Sequence, residues 1–189
     1  MLQKNRLILI LVAIIVLLGV GLVSLSMGDR VKFLYQPEKE IKVSTEDFSF
    51  QAPSNWTQDD LGERDLDQLL VVRISREDPF VTFHVRTLSG AESIDFTQLP
   101  KELKASFTKK TEGFREIKVS QEKIDSRDCL RYEYEYEEET NTGSYVAHQE
   151  MVITLFENKV YYLVGQAKKD DYGQVRGEIS KIFDSFKFE

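Results

Sequence analysis

The segment at residues 129–156 carries the side chains whose types and spacing come closest to a chemical site. It reads CLRYEYEYEEETNTGSYVAHQEMVITLF, with tyrosine and glutamate alternating along its first half. Because successive side chains of a strand point to opposite faces, this alternation separates an aromatic face from an acidic one. The acidic face is the candidate site.

Matching the apolar positions of the two halves of this segment predicts an antiparallel hairpin and its register. The register pairs Leu130 with Ile153, Tyr132 with Met151, Glu133 with Glu150 and Glu135 with His148. Four polar side chains then share the face opposite the tyrosines: Glu133, Glu135, His148 and Glu150.

Such a patch has two chemical interpretations and one structural interpretation. Carboxylates and a histidine are ligands for a divalent cation, and carboxylates beside a histidine also form a pH-sensitive contact. The structural interpretation, which we favour, is a solvated sheet face with weak cross-strand pairs. Rigid strands offer few backbone oxygens for a cation, so we expect divalent binding to be absent or no tighter than about millimolar.

Other catalytic patterns are missing from the sequence. It contains no phosphate-binding glycine loop, no G-x-S-x-G, no H-E-x-x-H and no C-x-x-C. A pair between Cys129 and one of the histidines, His84 or His148, is formally possible, but we favour the interpretation that Cys129 is a small residue on a sheet face, in phase with Arg131 and Glu133. We therefore predict no catalytic, cofactor-binding or metal site, and no enzyme.

Two further features have both a structural and a functional interpretation. The strand tyrosines either fill the core, which we favour, or line a ligand groove; they are Tyr132, Tyr134, Tyr136, Tyr161 and Tyr162. The run Glu137-Glu138-Glu139 is either a solvated turn, which we favour, or a contact for a basic partner.

The elements that position these residues follow from period and turn chemistry. Strands are predicted at residues 69–76, 80–88, 114–124, 129–138, 144–156 and 160–168. Thr97 is the expected cap of a first helix that ends before Gly113, and a second helix at about 171–184 has an apolar stripe. The order of strands, helix, strands and helix predicts an α+β domain with an antiparallel sheet and helices packed on it.

Charge divides the 189-residue chain into two parts. Residues 7–28 contain no ionisable side chain, whereas residues 29–189 hold 23 basic and 32 acidic residues, a net charge of −9. An acidic domain without a basic stripe argues against a nucleic-acid partner. We predict a tail at 1–6, a membrane helix at 7–28, a spacer at 29–43 and one domain at 44–189.

The apolar stretch is long enough to serve as an uncleaved signal anchor. As a helix it spans about 33 Å, close to the roughly 30 Å hydrocarbon core of a bilayer. A cleaved signal peptide is the alternative, but its apolar region is usually shorter, about 7–15 residues. Basic residues flank both ends, so the positive-inside rule does not decide the orientation. The short tail before the anchor favours a single-pass membrane protein whose domain is extracytoplasmic.

Three stretches of the domain have a recognisable pattern: the opening FSFQAPSNW, the strand-to-helix stretch VYYLVGQAKKDDYGQV and the closing ISKIFDSFKF. In these stretches the domain resembles the PsbP family, the extrinsic photosystem II proteins and their bacterial relatives, which share a fold with Mog-type Ran-binding proteins. The resemblance implies an α/β/α sandwich over residues 44–189 and a mostly non-enzymatic role as an accessory or assembly factor docked on a membrane complex. Some members have been linked to calcium or manganese.

Taken together, these features predict a bacterial, membrane-anchored, PsbP-like protein that binds a protein partner in the cell envelope and needs no cofactor. The alternatives are a small-molecule or divalent-cation-binding module of the envelope and an unrecognised hydrolase.

The predicted orientation can be tested with protease added to intact spheroplasts. An extracytoplasmic domain should be digested, leaving a small membrane-bound fragment that contains residues 7–28. A cytoplasmic protein of the same cells serves as the control for intact membranes. Full protection of the domain while that control is also protected would contradict the orientation.

Overall fold

The computed structural model describes residues 40–61, 70–141 and 143–189. The predicted tail, the membrane helix at 7–28 and most of the spacer lie outside these residues. Neither helix in the described ranges is long and apolar enough to span a membrane. The elements, in chain order, are β1 (Ile41–Ser44), β2 (Phe48–Ala52), β3 (Thr57–Gln58), β4 (Leu70–Glu77), β5 (Phe80–Ser89), α1 (Leu99–Lys110), β6 (Arg115–Ile124), β7 (Arg127–Thr140), β8 (Gly143–Phe156), β9 (Lys159–Lys168), α2 (Lys169–Ser185) and β10 (Lys187–Phe188).

The main sheet has seven strands in the order β3-β4-β5-β9-β8-β7-β6, and each described pairing in it is antiparallel. Strands β6 to β9 form consecutive hairpins, as the sequence predicted. Two of their turns place both central residues at positive φ, Asp125-Ser126 and Glu157-Asn158. Such turns match the twist of paired strands, so short-range chemistry determines these hairpins.

A second sheet of three strands, in the order β1-β2-β10, brings the two ends of the domain together. Val43 pairs with Phe50 and is buried, and Lys187 pairs with Ser49. The domain therefore begins by Ile41, inside the stretch 29–43 that was predicted as spacer. The β1 strand was missed because only Ile41 and Val43 mark its alternation.

Two apolar clusters lie on the two faces of the main sheet. One contains α2, the small sheet and alternate residues of β4, β5 and β9. The other contains α1 and the tyrosine face of β7 and β8, including Tyr132, Tyr134 and Tyr136. Tyr161 and Tyr162 are buried on opposite faces. The tyrosines are thus core residues, and the α+β arrangement predicted from the sequence is confirmed.

Helix α1 has an apolar stripe but not the predicted cap. Leu99, Leu103 and Phe107 are buried, while the N-cap residue is Gln98, whose side chain makes no capping bond. Thr97 instead donates its backbone N–H and its hydroxyl to Asp95, at 2.9 and 2.6 Å. The turn before the helix is organised by Asp95, so Thr97 is not its cap.

Helix α2 is longer than predicted and crosses the sheet at a glycine. Its buried stripe is Tyr172, Val175, Ile179, Ile182 and Phe183. A Cβ atom added at Gly165 of β9 would lie 2.5 Å from Cγ2 of Ile179, closer than real Cβ contacts. Glycine at this position therefore lets the helix approach the sheet.

The closing aromatic residues generate a stability prediction. Phe186 is 1% exposed and stacks on Phe48 with ring centroids 5.1 Å apart. Phe186→Ala should lower the free energy of unfolding by about 3–5 kcal/mol, the usual cost of truncating a buried aromatic residue. Urea denaturation of the wild type and variant measures this loss. Phe80→Ala, at a ring that is 40% exposed, is the matched control and should cost less than about 1 kcal/mol. Equal losses for the two variants would contradict a core role for Phe186.

Candidate functional site

The hairpin of β7 and β8 has the register predicted from the sequence. The structure pairs Leu130 with Ile153, Tyr132 with Met151, Glu133 with Glu150 and Glu135 with His148. The four candidate side chains therefore share one face of the sheet. This success follows from the period-two alternation, since a slip by one residue would turn the tyrosines out of the core.

The candidate face is buried, which corrects the expectation that it is solvated. Glu133 and His148 are each 7% exposed, and Glu150 is 3% exposed. The N-terminal half of α2 covers this face, where Tyr172 stacks on His148 with ring centroids 3.6 Å apart. We call these residues, together with Glu135 and Arg131, the hairpin polar network.

His148 lies between two carboxylates of β7. Its Nε2 is 2.9 Å from Oε1 of Glu133, and its Nδ1 is 3.4 Å from Oε1 of Glu135. The stacked ring of Tyr172 covers one face of the imidazole. His148 thus connects Glu133 and Glu135 to α2 through the ring of Tyr172.

Glu150 binds a cation and a phenol. Arg131 Nε donates to its Oε1, and the Tyr172 hydroxyl donates to its Oε2 at 2.7 Å. Burial lowers the pKa of Arg131, but the carboxylates of Glu150 and Glu122 outweigh it and leave that pKa above its usual value. Burial, and then Glu150, raise the pKa of Tyr172, so the phenol stays protonated and donates. These bonds satisfy both oxygens of a buried carboxylate.

Glu135 binds two cations at the other end of the patch. Arg115 donates to its Oε2 from Nη2 at 2.5 Å, and Lys169 Nζ lies 3.2 Å from the same oxygen. Burial raises the pKa of Glu135, but the bonds from Arg115 and Lys169 outweigh it and hold the pKa below its usual value. The carboxylate therefore ties β6 and α2 to β7.

These contacts engage the carboxylates with cations of the chain itself. Among residues 40–61, 70–141 and 143–189, no group of three or more His, Cys, Asp or Glu side chains is arranged to hold a metal ion. The partners of the acidic face are mostly basic and come from elements distant in sequence. Arg115, Lys169 and Tyr172 gave no signal in the sequence as site residues, because nothing local to β7 indicates that α2 lies over it.

A polar recess opens beside the hairpin polar network, between β6 and α2, with a volume of about 180 Å³. Arg131, Glu133 and Glu150 form its floor. Its rim consists of Lys118 and Ser120 from β6 and Arg176 and Ser180 from α2. We call it the β6–α2 recess. Sequence analysis missed it, because its rim joins two elements more than fifty residues apart.

The structure separates the single cysteine from both histidines. Cys129 is buried beside Thr154, six positions along β8 from His148, or about 20 Å. His84 is flanked by Phe83 and Val85 of the α2-side core and so points to the opposite sheet face. Burial also raises the pKa of the Cys129 thiol to about 11, which keeps it from forming the thiolate nucleophile at neutral pH.

The acidic run near the hairpin tip also differs from the prediction of a solvated turn. Strand β7 continues to Thr140, and Glu138 is only 2% exposed. Tyr145 and Gln166 donate hydrogen bonds to its Oε2 at 2.8 and 2.6 Å. Burial raises the pKa of Glu138 above its usual value despite these bonds. Its neighbours Glu137 and Glu139 are exposed.

The fold and this site define an α+β domain in which the residues of the hairpin polar network bind one another. The PsbP family model matches residues 39–188, and the chain belongs to the PsbP family. A search of curated proteins finds no match to the chain.

Solved structures show the same fold in distant proteins. Cyanobacterial PsbP (CyanoP) from Synechocystis sp. has a TM-score of 0.59 and 12% identity, covering 86% of this chain and 99% of CyanoP. LpqN, involved in cell envelope biogenesis of Mycobacterium tuberculosis, has a TM-score of 0.52 and 17% identity, covering 79% and 90%. The Ran-binding protein Mog1p of Saccharomyces cerevisiae has a TM-score of 0.52 and 6% identity, covering 79% and 95%. Identities this low show the fold alone.

Two of the buried glutamates of β7, Glu135 and Glu138, predict opposite effects of pH. The folded pKa of Glu135 lies below its ordinary value of 4.5, so its stabilisation is present above pH 4.5 and is lost as the pH falls through the folded pKa. Glu135→Gln should lower the free energy of unfolding by about 1–3 kcal/mol at pH 7. The variant and the wild type should converge in acid, as measured by urea denaturation at several pH values.

Glu138 is the matched counterpart on the opposite sheet face. Its folded pKa is raised, so its ionised form opposes folding above that pKa, and the wild type gains stability as the pH falls through it. Glu138→Gln should therefore lower the free energy of unfolding at pH 7 by less than Glu135→Gln does. In acid, the difference in this free energy between the wild type and Glu138→Gln should increase. Glu139→Gln, at an exposed position, is the control. The same pH dependence in both buried variants would contradict the assignment.

Proposed function

We propose that this PsbP-family chain is a membrane-anchored, non-catalytic accessory or assembly factor whose extracytoplasmic domain binds a protein partner in the cell envelope. The observation that carries this proposal is the hairpin polar network. Its acid, base and guanidinium groups bind one another and attach α2 to the sheet, which is a structural task. The site that most resembled a reaction centre in the sequence is thus occupied by the protein's own side chains.

The family and its neighbours support the same function. PsbP membership provides a compact extrinsic domain, and CyanoP has nearly its whole length matched by this chain. LpqN, which shares the fold, is involved in cell envelope biogenesis in its own organism. These relationships favour an envelope protein that assists other proteins.

Membrane attachment is supported by the sequence before the domain. Residues 7–28 contain no ionisable side chain, and the domain begins by Ile41 after a short charged stretch. A linker of this length would keep the domain close to the bilayer surface, where it can contact the exposed parts of membrane complexes. The net charge of −9 over residues 29–189 favours a basic or neutral protein surface as the partner and disfavours nucleic acid.

The alternative of a divalent-cation module has little geometric support, because Glu135 and Glu150 are paired with arginine and lysine side chains. The unrecognised hydrolase has little support either, since Cys129 is distant from His148. The small-molecule alternative has one specific observation in its favour, the β6–α2 recess.

The proposed function can be tested by affinity capture from membranes solubilised in a non-ionic detergent. The full chain should retain one envelope protein in near-stoichiometric amounts. A photo-crosslinking residue at Ile117 or Val146, which are 39% and 42% exposed, should join covalently to that same protein in living cells. A chain truncated after residue 39 keeps the predicted anchor without the domain and should capture nothing. A full chain that elutes alone and forms no adduct at either position would contradict the proposal.

A further inference from the structure

The β6–α2 recess presents charged and polar groups that contacts within the hairpin polar network do not fully engage. A single water molecule needs about 10–15 Å³ of such a cavity, so the recess of about 180 Å³ admits a ligand with several non-hydrogen atoms. It lies at the edge of the main sheet, where α2 leaves β6 uncovered. A ligand can therefore enter from solvent without any rearrangement of the core.

The rim of the recess holds two cations. Lys118 of β6 and Arg176 of α2 are exposed, and neither forms an ion pair within residues 40–61, 70–141 and 143–189. The floor cation differs, because Arg131 is engaged by Glu150 and Glu122. In a domain with a net charge of −9, two rim cations outside the ion pairs of the described residues make the rim a local site for an anionic group, although Lys118 also acts electrostatically on Glu122.

The floor of the recess offers an acceptor. Glu133 is 7% exposed, and its Oε1 is bound to His148 Nε2 at 2.9 Å. Its Oε2 forms no hydrogen bond within the described residues and is not one of the fully buried unpaired atoms there, so this oxygen is open to a donor in the recess. A ligand hydroxyl or ammonium group can donate a hydrogen bond to this oxygen in place of solvent.

We propose that the β6–α2 recess binds a small hydroxylated anion, with its phosphate or carboxylate group between Lys118 and Arg176 and a hydroxyl donating to Glu133. Each part of the ligand matches one part of the recess. An anion alone makes no bond to Glu133, and a neutral polyol makes no ion pair with the rim cations. This binding is distinct from the docking of a protein partner and does not depend on it.

Isothermal titration calorimetry on the full chain in a non-ionic detergent tests the proposal with three probes. Glycerol 3-phosphate carries both groups, inorganic phosphate only the anion, and glycerol only the hydroxyls. Glycerol 3-phosphate should bind about tenfold more tightly than phosphate, the effect of one hydrogen bond to a charged acceptor. Glycerol should give no measurable binding.

Rim and floor variants separate the two parts of the site. Arg176→Gln and Lys118→Gln should each lower the affinity for glycerol 3-phosphate by about tenfold. Because both residues are exposed, these substitutions should preserve the fold. Lys181→Gln, at an exposed lysine of the same helix, should have no effect. Glu133→Gln should lower the affinity for glycerol 3-phosphate but not the affinity for phosphate.

The source of the anion can be resolved with the same assay. Glycerophosphoglycerol, the soluble headgroup of phosphatidylglycerol, should bind more tightly than glycerol 3-phosphate if the natural ligand is a lipid or polymer end group. The reverse order would indicate a free solute. The proposal is overturned if glycerol 3-phosphate does not bind, if it binds no more tightly than phosphate, or if the rim variants bind it as well as the wild type.

Discussion

The close packing of α2 against the main sheet is the contact on which the rest of this domain depends. Gly165 of β9 permits that approach, since any side chain there would displace Ile179. From this crossing point the helix extends in two directions with different chemistry. Its C-terminal part buries Ile179, Ile182 and Phe183 and continues into β10, which pairs with β2 and completes the small sheet. Its N-terminal part lies over the hairpin polar network.

This division explains why charged residues are buried beneath a helix that is otherwise held by apolar contacts. Burying ions is costly, and a buried ion pair often stabilises less than an apolar contact of the same shape. Here the buried polar groups are bonded to one another. Arg131 and Tyr172 donate to Glu150, and His148 bonds to Glu133 while its ring stacks on Tyr172. Such contacts are directional, so they fix where α2 lies along the sheet, which apolar packing alone leaves less defined.

The sequence predicts local features of this structure better than the layers that lie on them. The hairpin register follows from the alternation of tyrosine and glutamate, and the turn at Glu157-Asn158 closes the next hairpin. Alternation shows that the two faces of a strand differ, but it does not reveal what packs on each. The polar face of β7 was therefore expected to be solvated, although α2 covers it. The pairing of β9 with β5 had no local signal either, because it joins strands about eighty residues apart.

Glu135 and Glu138 show how far environment, and not residue type, determines the properties of a site. An odd separation along β7 places them on opposite sheet faces. Glu135 meets Arg115 and Lys169 on the α2 side, and its pKa falls. Glu138 meets only neutral donors among the described residues on the α1 side, and its pKa rises. The alternation assigns them to different faces, but it does not show which groups each face meets.

The same reasoning applies to the β6–α2 recess. Helix α2 passes over β9 and β8 but not over β6, so the polar face continues beyond the helix and meets solvent there. Had α2 crossed nearer the edge, Arg176 would lie over β6 and the recess would be filled. The close crossing that Gly165 permits therefore accompanies both the buried network and the open cavity beside it. A domain of this family can in this way keep a stable core and still present a small polar site, because one helix covers only part of a polar sheet face.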